Sequence, residues 1–174
     1  MIIRAIDPGP IESAYCDWDG ERIWNCGIFQ NRHHHNDLDN VKPIKAVYIE
    51  MVGSYGMAVG AEVFETAFWV GRFWQQYIDL GIGCTKIYRR DVRLHLCHSA
   101  RAGDTEVNTA IVDRFDPYRK FGKYGKGIQS RRGPLFGFGK DMWAALAVAL
   151  TAWDKYCSHL NCHEETAEQG DTTF

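Results

Sequence analysis

Segments with strand character come early in this chain and segments with helical character come late, and this order restricts the possible folds. Five short runs are rich in aliphatic and β-branched residues and are bounded by turn-forming residues. The five predicted strands are residues 2–7, 12–18, 21–29, 45–50 and 84–88. Asp19 and Gly20 favour a tight hairpin turn between the second and third strands, because such a turn needs a positive φ. The chain is therefore expected to begin with three consecutive strands that pair antiparallel.

Helical periodicity begins between the fourth and fifth strands and dominates the rest of the chain. The predicted helices are residues 57–80, 90–97, 104–115 and 140–156. A strand, a helix and a strand in succession usually form a parallel pair with a right-handed crossover, so the last two strands join a mixed sheet. We therefore predict an α/β fold in one domain, residues 1–156, with a mixed five-stranded sheet flanked by helices. Residues 157–174 are expected to form a C-terminal tail.

The composition is that of a globular domain with nearly balanced charge. The 174 residues carry 20 Lys and Arg against 22 Asp and Glu, which gives a formal net charge of −2. No run approaches the roughly 20 apolar residues that span a bilayer, and the N-terminus lacks the pattern of a secretion signal. We therefore expect a cytoplasmic protein with no membrane partner, in which the six cysteines are reduced thiols.

Two of the predicted strands end in a carboxylate, because Asp7 ends the first and Glu50 ends the fourth. If these strands are parallel neighbours, both side chains lie at the carboxyl edge of the sheet, where open α/β sheets hold their ligands. Asp141, in the first turn of the last helix, could complete a cluster there. Each acid also has a simpler explanation, since Asp is common in turns and acids are favoured at a helix N-terminus by the helix dipole.

Three acids in close proximity repel one another unless a cation offsets their charge. Carboxylate oxygens suit Mg²⁺ or Mn²⁺, which also bind phosphate oxygens. Two such ions about 4 Å apart can activate a water and stabilise the leaving oxygen of a phosphodiester. The pattern therefore indicates a candidate site for metal-dependent phosphodiester hydrolysis, with Asp7, Glu50 and Asp141 as ligands.

Residues 114–132 combine positive charge with aromatic rings. The cations are Arg114, Arg119, Lys120, Lys123, Lys126, Arg131 and Arg132, and they alternate with Phe115, Tyr118, Phe121 and Tyr124. Lys and Arg neutralise phosphates, while aromatic faces stack on bases. This segment is therefore a candidate nucleic acid-binding loop, with a solvated loop as the simpler alternative. Tyr55, shortly after Glu50, is a further candidate for contact with a base.

Three motifs in this order, "IDPG", "YIE" and "KDMWAALAVAL", resemble those of the RuvC-type Holliday junction resolvases and their phage-encoded relatives in the RNase H-like superfamily. The resemblance covers residues 1–156. It implies an RNase H-like fold and a structure-selective endodeoxyribonuclease that cleaves branched DNA, such as Holliday junctions, in a bacterial or phage-infected host cell. It also implies that Asp7, Glu50 and Asp141 bind the divalent metals, because they occupy the matching positions.

Two positions depart from the family pattern. The family has a further Asp one helical turn beyond the position of Asp141, where this chain has Ala144. The family often has a catalytic Lys as well, ahead of the helix that precedes the candidate nucleic acid-binding loop. Arg101 lies in that neighbourhood, but Asp104 and Thr105 stand where the Lys is expected. The resemblance therefore implies three metal-binding acids. We expect Arg101 to contact DNA, and we assign no catalytic Lys.

The helix predicted at residues 57–80 carries two apolar stripes, and only one of them can cover the sheet. Gly60 and Gly71 on the first stripe would allow close approach to the sheet, so the second stripe is expected to face another subunit. That second stripe consists of Val59, Val63, Val70, Phe73 and Tyr77. A twofold homodimer would also present two active sites to a symmetric junction. The alternative is that the last predicted helix, residues 140–156, covers the second stripe.

Two other functions remain open from the sequence. The missing acid at Ala144 is compatible with a non-catalytic protein that binds branched DNA, and a monomer would favour a flap or fork nuclease. A sugar kinase or actin-like ATPase shares the sheet order but needs a second half of the fold, which 174 residues cannot supply. The run from His33 to His35 lacks the ligand spacing of a structural zinc site.

Overall fold

The computed structural model describes residues 1–33, 44–53, 56 and 58–157, with only the backbone described at Lys140. Five strands form one mixed sheet in the order β3-β2-β1-β4-β5. They are β1 (Ile2–Asp7), β2 (Glu12–Trp18), β3 (Ile23–Gln30), β4 (Ile44–Met51) and β5 (Gly83–Tyr88). The first three strands pair antiparallel, and β4 pairs parallel with both β1 and β5. The predicted α/β fold with its mixed five-stranded sheet is confirmed.

Four α-helices flank this sheet in the described part of the chain, and their bounds differ from the predicted ones mainly at the ends. They are α1 (Ala61–Asp79), α2 (Arg89–Cys97), α3 (Asp104–Phe115) and α4 (Lys140–Ala152). A π-helical turn, Trp153–Cys157, continues α4. Cys157 is buried and lies 3.3 Å from the hydroxyl of Tyr48, and the rest of the expected tail lies outside the described residues. None of the described helices is long and apolar enough to cross a membrane.

Helix α4 packs on one face of the sheet, against β1 and β2. Its buried residues are mostly small or aliphatic, which lets the helix lie close to the strands. They include Ala145, Leu146, Ala147, Val148, Ala149 and Leu150. Because strand side chains alternate between faces, Ile3 and Ala5 of β1 join this layer, while Ile6 joins the layer on the other face. Helix α4 is thereby fixed beside the end of β1, with Asp141 in its first turn.

Helix α1 covers the opposite face of the sheet, and it does so with the stripe that was expected to face a partner. Val70, Phe73 and Tyr77 are buried in the layer that contains Ile6 of β1 and Ile49 of β4. The predicted assignment of faces was therefore wrong, as was the alternative that the last helix covers this stripe. The physical reason is side-chain volume. Bulky side chains fill the space over the strands, whereas the stripe that contains Gly71 has no side chain at that position to fill it.

The segment between α3 and α4 is folded more regularly than its sequence suggests. It contains a two-stranded antiparallel ribbon, β6 (Gly127–Ile128) with β7 (Arg131–Arg132). The carboxylate of Asp116 accepts hydrogen bonds from the backbone N–H groups of Lys120 and Phe121, both at 2.8 Å. Gly133 is required here, since a Cβ would collide with the carbonyl oxygen of Gly125. These contacts hold the segment in a defined conformation after the end of α3. We name residues 116–139 the basic loop.

Candidate active site

The parallel pairing of β1 with β4 brings two carboxylates to the same edge of the sheet. Ile6 is paired with Ile49, so Asp7 and Glu50 follow at the carboxyl ends of neighbouring strands. Asp141 lies in the first turn of α4, which begins beside this edge. All three acids line one cavity of about 620 Å³. The structure thus brings together the three residues that the sequence singled out as candidate metal ligands.

Asp7 lies in an environment that disfavours its charged form. Burial is the largest cause and raises the pKa of Asp7 to about 9. A hydrogen bond with Glu50 and the negative charges of Glu50 and Asp141 act in the same direction, while Arg89 opposes them. Arg89 therefore offsets only part of the effects that disfavour a charge on Asp7.

Arg89 is the principal cation of the site, and the sequence reasoning did not identify it. Its Nε lies 2.7 Å from Oε1 of Glu50 and its Nη2 lies 3.0 Å from Oε2, which is a bidentate ion pair. The same guanidinium is 3.6 Å from Asp7 and 3.4 Å from Asp104. Arg93 also lies 3.4 Å from Asp104. Arg89 thus links the carboxylate of Glu50 to both Asp7 and Asp104.

The position of Arg89 follows from the rule that located the acids. Helix α2 begins at Arg89, directly after the carboxyl end of β5. Because β5 is parallel to β4, its end meets the same edge as Asp7 and Glu50. The sequence "YRRD" after a predicted parallel strand was the signal that could have identified this residue.

The donor set fits a divalent cation in its chemistry. In residues 1–33, 44–53, 56 and 58–157, no three His, Cys, Asp or Glu side chains already stand at metal-ligand spacing. In this structure the positive charge that pairs with Glu50 comes from Arg89. Hard carboxylate oxygens nevertheless suit Mg²⁺ or Mn²⁺, and the negative charges of Glu50 and Asp141 act on Asp7 against the opposing charge of Arg89.

The two positions that depart from the family pattern are both on the wall of this cavity. Ala144 lines it from α4, and Asp104 lines it from the start of α3. Arg101 does not line the cavity and is exposed in the turn before α3, where its backbone N–H contacts Ser99. Tyr55 lies outside the described residues. The predicted DNA contacts of Arg101 and Tyr55 stay predictions.

Most cations of the basic loop stack on aromatic rings. Lys120 lies over Tyr118, Lys123 over Tyr124, Arg131 over Phe121 and Arg132 over Phe136. Arg119 of the loop is engaged by the carboxylate of Asp113, and Arg114, which precedes the loop at the end of α3, pairs with Asp154. Lys126 differs from the rest because its ammonium donates a hydrogen bond to the carbonyl oxygen of Phe138 and lines the cavity.

The raised pKa of Asp7 makes the stability of the metal-free protein depend on pH. A carboxyl whose pKa is higher in the folded state than its ordinary 3.8 binds more protons when folded, so stability falls as pH rises from about 4 to about 9. Asp7→Asn should remove this loss, which amounts to at most about 1.4 kcal/mol per pH unit. Urea denaturation in EDTA at pH 6 and pH 9 measures it. Equal pH dependence in wild type and variant would show that Asp7 is ordinarily ionised.

The class of fold follows from the strand order and the helices on both faces. Three antiparallel strands followed by two parallel ones, with helices packed on either side, are the RNase H-like arrangement. No protein-family model and no curated protein sequence matches the chain.

Solved structures match it over most of its length. A structure of Thermus thermophilus RuvC has a TM-score of 0.61 at 18% identity, covering 87% of this chain and 92% of that one. The T. thermophilus RuvC structure in complex with a Holliday junction substrate has a TM-score of 0.64 at 17% identity, covering 91% and 96%. The chain therefore has a RuvC-like fold.

Proposed function

We propose that this protein is a metal-dependent, structure-selective endodeoxyribonuclease that hydrolyses phosphodiester bonds in branched DNA such as Holliday junctions. The observation that carries the proposal is the convergence of Asp7, Glu50 and Asp141 on one cavity at the carboxyl edge of a RuvC-like sheet. One of the similar RuvC structures holds a Holliday junction substrate, which supports branched DNA as the ligand. In this proposal residues 1–156 are the nuclease domain, and residues 157–174 are a tail outside it.

Asp7, Glu50 and Asp141 would hold the divalent ions, either Mg²⁺ or Mn²⁺. When bound, such ions polarise a water and offset the charge on the leaving oxygen of the scissile phosphodiester. Burial and the neighbouring acids raise the pKa of Asp7, so its use as a metal ligand would involve release of a proton. Arg89 pairs with Glu50 in this structure, and its guanidinium would be free to bind a DNA phosphate if a metal ion took that carboxylate.

Cleavage of defined DNA branches tests the proposal. End-labelled four-way junctions, flaps, forks and linear duplexes of the same sequence would be incubated with the protein and Mg²⁺. We expect cuts near the branch point of the junction and little cutting of the duplex. Preference for flaps or forks would support the alternative of a nuclease that cuts one strand at a time. Binding of junctions without cleavage in either Mg²⁺ or Mn²⁺ would support a non-catalytic DNA-binding protein.

The basic loop is proposed to contact DNA phosphates through its exposed cations. Replacing Lys120 and Lys123 with Ala should weaken binding to all sequences and lower the slope of log affinity against log salt by about two, one per lost phosphate contact. Lys126 is left unchanged because its ammonium is bound to Phe138. Fluorescence anisotropy at several salt concentrations measures the slope.

The matched control for the loop is Lys45→Ala with Lys86→Ala, two exposed lysines on β4 and β5. This control pair should leave the salt slope unchanged. The same slope for wild type and for the loop variant would place the DNA path elsewhere.

A homodimer is proposed to form through the outer face of α1. The side chain of Phe64 is 65% exposed, that of Phe68 is 56% exposed, and Ile78 is exposed on the same helix. Bulky apolar groups on one helix face favour a second helix as cover, and a twofold axis would present two active sites to a symmetric junction. The proposed interface is thus the stripe opposite to the one expected from the sequence.

Phe64→Glu with Phe68→Glu should convert a dimer to a monomer, because the charges would have to be buried without partners. Sedimentation velocity at micromolar concentration measures this change. Ile128→Glu, at an equally exposed apolar residue outside α1, should leave the dimer intact. A wild-type monomer of 19.9 kDa, both free and on junction DNA, would reject the dimer.

A further inference from the structure

The cavity that holds the carboxylates extends well beyond them. Its far wall is apolar and aromatic and is built from α3, α4 and the basic loop, and the residues that form it include Val107, Tyr124, Phe138, Trp143 and Val148. A volume of about 620 Å³ is in the range of pockets that enclose small organic ligands. Metal ions and a phosphate need no apolar wall, so this part of the cavity is suited to another part of the substrate.

Along one face of helix α4, the side chains that line the cavity change from acidic to apolar. Asp141, Ala144 and Val148 are three and four residues apart and therefore lie above one another on the helix, and all three line the cavity. An acid at position 144 would extend the negative charge towards the aromatic wall. The methyl group of Ala144 instead leaves an apolar surface next to the carboxylates. A nucleotide has the matching arrangement, an anionic phosphate close to a flat, largely apolar ring.

Tyr124 presents a ring to this cavity. Its side chain is 50% exposed, and the ammonium groups of Lys123 and Lys126 lie 5.3 Å and 6.0 Å from its ring centroid. Lys126 is itself fixed by the carbonyl oxygen of Phe138 and lies 5.9 Å from the ring of Trp143. Lys126 is therefore close to the rings of both Tyr124 and Trp143. A half-exposed ring of this kind is suited to stack on a base.

Asn108 supplies polar recognition in the same cavity. It is half-buried on α3 and lines the cavity, and its amide makes no side-chain hydrogen bond within the part of the chain that the structure describes. An amide carries both a donor and an acceptor, which is the pattern needed to bind the edge of a base. Groups for stacking and for edge recognition thus both line the cavity that contains the carboxylates.

We propose that this cavity receives one unpaired nucleobase next to the phosphate that is cut, with Tyr124 stacked on its face and Asn108 bound to its edge. The inference rests on the proposed function, since it assumes that DNA enters this site. Taking a base out of a duplex costs stacking and pairing energy, and the cost is lowest where the base is already unpaired. The pocket therefore gives a physical reason for preferring branch points over continuous duplex.

The pocket can be tested with a series of junctions in which a single abasic site is moved from one position to the next. Synthetic four-way junctions, each lacking one base at a different position around the branch point, would be bound in EDTA so that no cleavage occurs. For the wild type, one position should weaken binding about tenfold, because the stacking contact is lost there. In Tyr124→Ala this position-specific penalty should disappear, whereas Tyr124→Phe should keep it, since the ring remains.

Controls separate the pocket from general DNA binding and from catalysis. Tyr118→Ala removes an equally aromatic, more exposed ring of the same loop that does not line the cavity, and it should keep the penalty. Asn108→Ala should reduce the differences in affinity among junctions that carry each of the four bases at the sensitive position. A penalty that is absent at every position, or equal in wild type and Tyr124→Ala, would overturn the inference. Because binding is measured without metal, an inactive but DNA-binding protein could still show the pocket.

Discussion

Asp7→Asn is expected to lower Mg²⁺-dependent cleavage of branched DNA by about a thousandfold or more, on the scale of removing a central electrostatic group from an active site. The change removes one of three carboxylates that converge on the cavity while preserving the size of the side chain. Because an amide carries no charge, it cannot hold a hard divalent cation as a carboxylate does. Single-turnover cleavage of a labelled four-way junction measures the effect.

Folding and DNA binding should survive the same substitution. Burial and the acidic neighbours disfavour the charged form of Asp7. An uncharged side chain at this position is therefore compatible with the fold in the absence of metal. Asp79→Asn, the same chemical change at the exposed end of α1, is the matched control and should cleave at the wild-type rate. Cleavage retained in Asp7→Asn would move the chemistry to another part of the molecule.

Arg89→Gln is expected to weaken the metal-free fold and to strengthen metal binding. Glu50 is largely buried and loses a bidentate cation, which should lower the free energy of unfolding by about 1–3 kcal/mol after allowing for the partial exposure of Arg89. Affinity for Mn²⁺ should rise about tenfold or more, since the ion no longer competes with a guanidinium for Glu50. Thermal unfolding in EDTA and isothermal titration with Mn²⁺ measure the two effects.

Arg93→Gln is the control for Arg89, because Arg93 lies on the same helix and contacts Asp104 without reaching Glu50. It should leave Mn²⁺ affinity near the wild-type value. Weaker Mn²⁺ binding in Arg89→Gln would contradict the view that this guanidinium occupies the place of a metal ion, and would make Arg89 a support for the metal site.

The sheet and the acidic cluster could be predicted because they depend on local patterns and one topological rule. The strand-helix-strand order favours a parallel pairing of β4 and β5, and the pairing of β4 with β1 sets Asp7 beside Glu50. Asp141 could be assigned because α4 has a strong apolar pattern that must cover the sheet. The resemblance to a known family pointed to the same three residues.

What the sequence did not reveal depends on tertiary packing. Both stripes of α1 are apolar, so only the volume available over β4 decides that Val70 and Phe73 point inward and that Phe64 does not. The role of Arg89 was missed because a surface arginine after a strand is common. Its place after a parallel strand was a signal that could have been used, and its distances to three acids show the role. The ribbon in the basic loop rests on contacts such as those of Asp116, which no periodic pattern shows.

Anomalous diffraction from crystals grown with Mn²⁺ at pH 8 tests most directly whether this carboxylate cluster is a metal site. We expect Mn²⁺ peaks between Asp7, Glu50 and Asp141, with the guanidinium of Arg89 moved away from Glu50. The absence, at saturating Mn²⁺, of any peak within ligand distance of these carboxylates, with Arg89 still paired with Glu50, would contradict the assignment of a metal site.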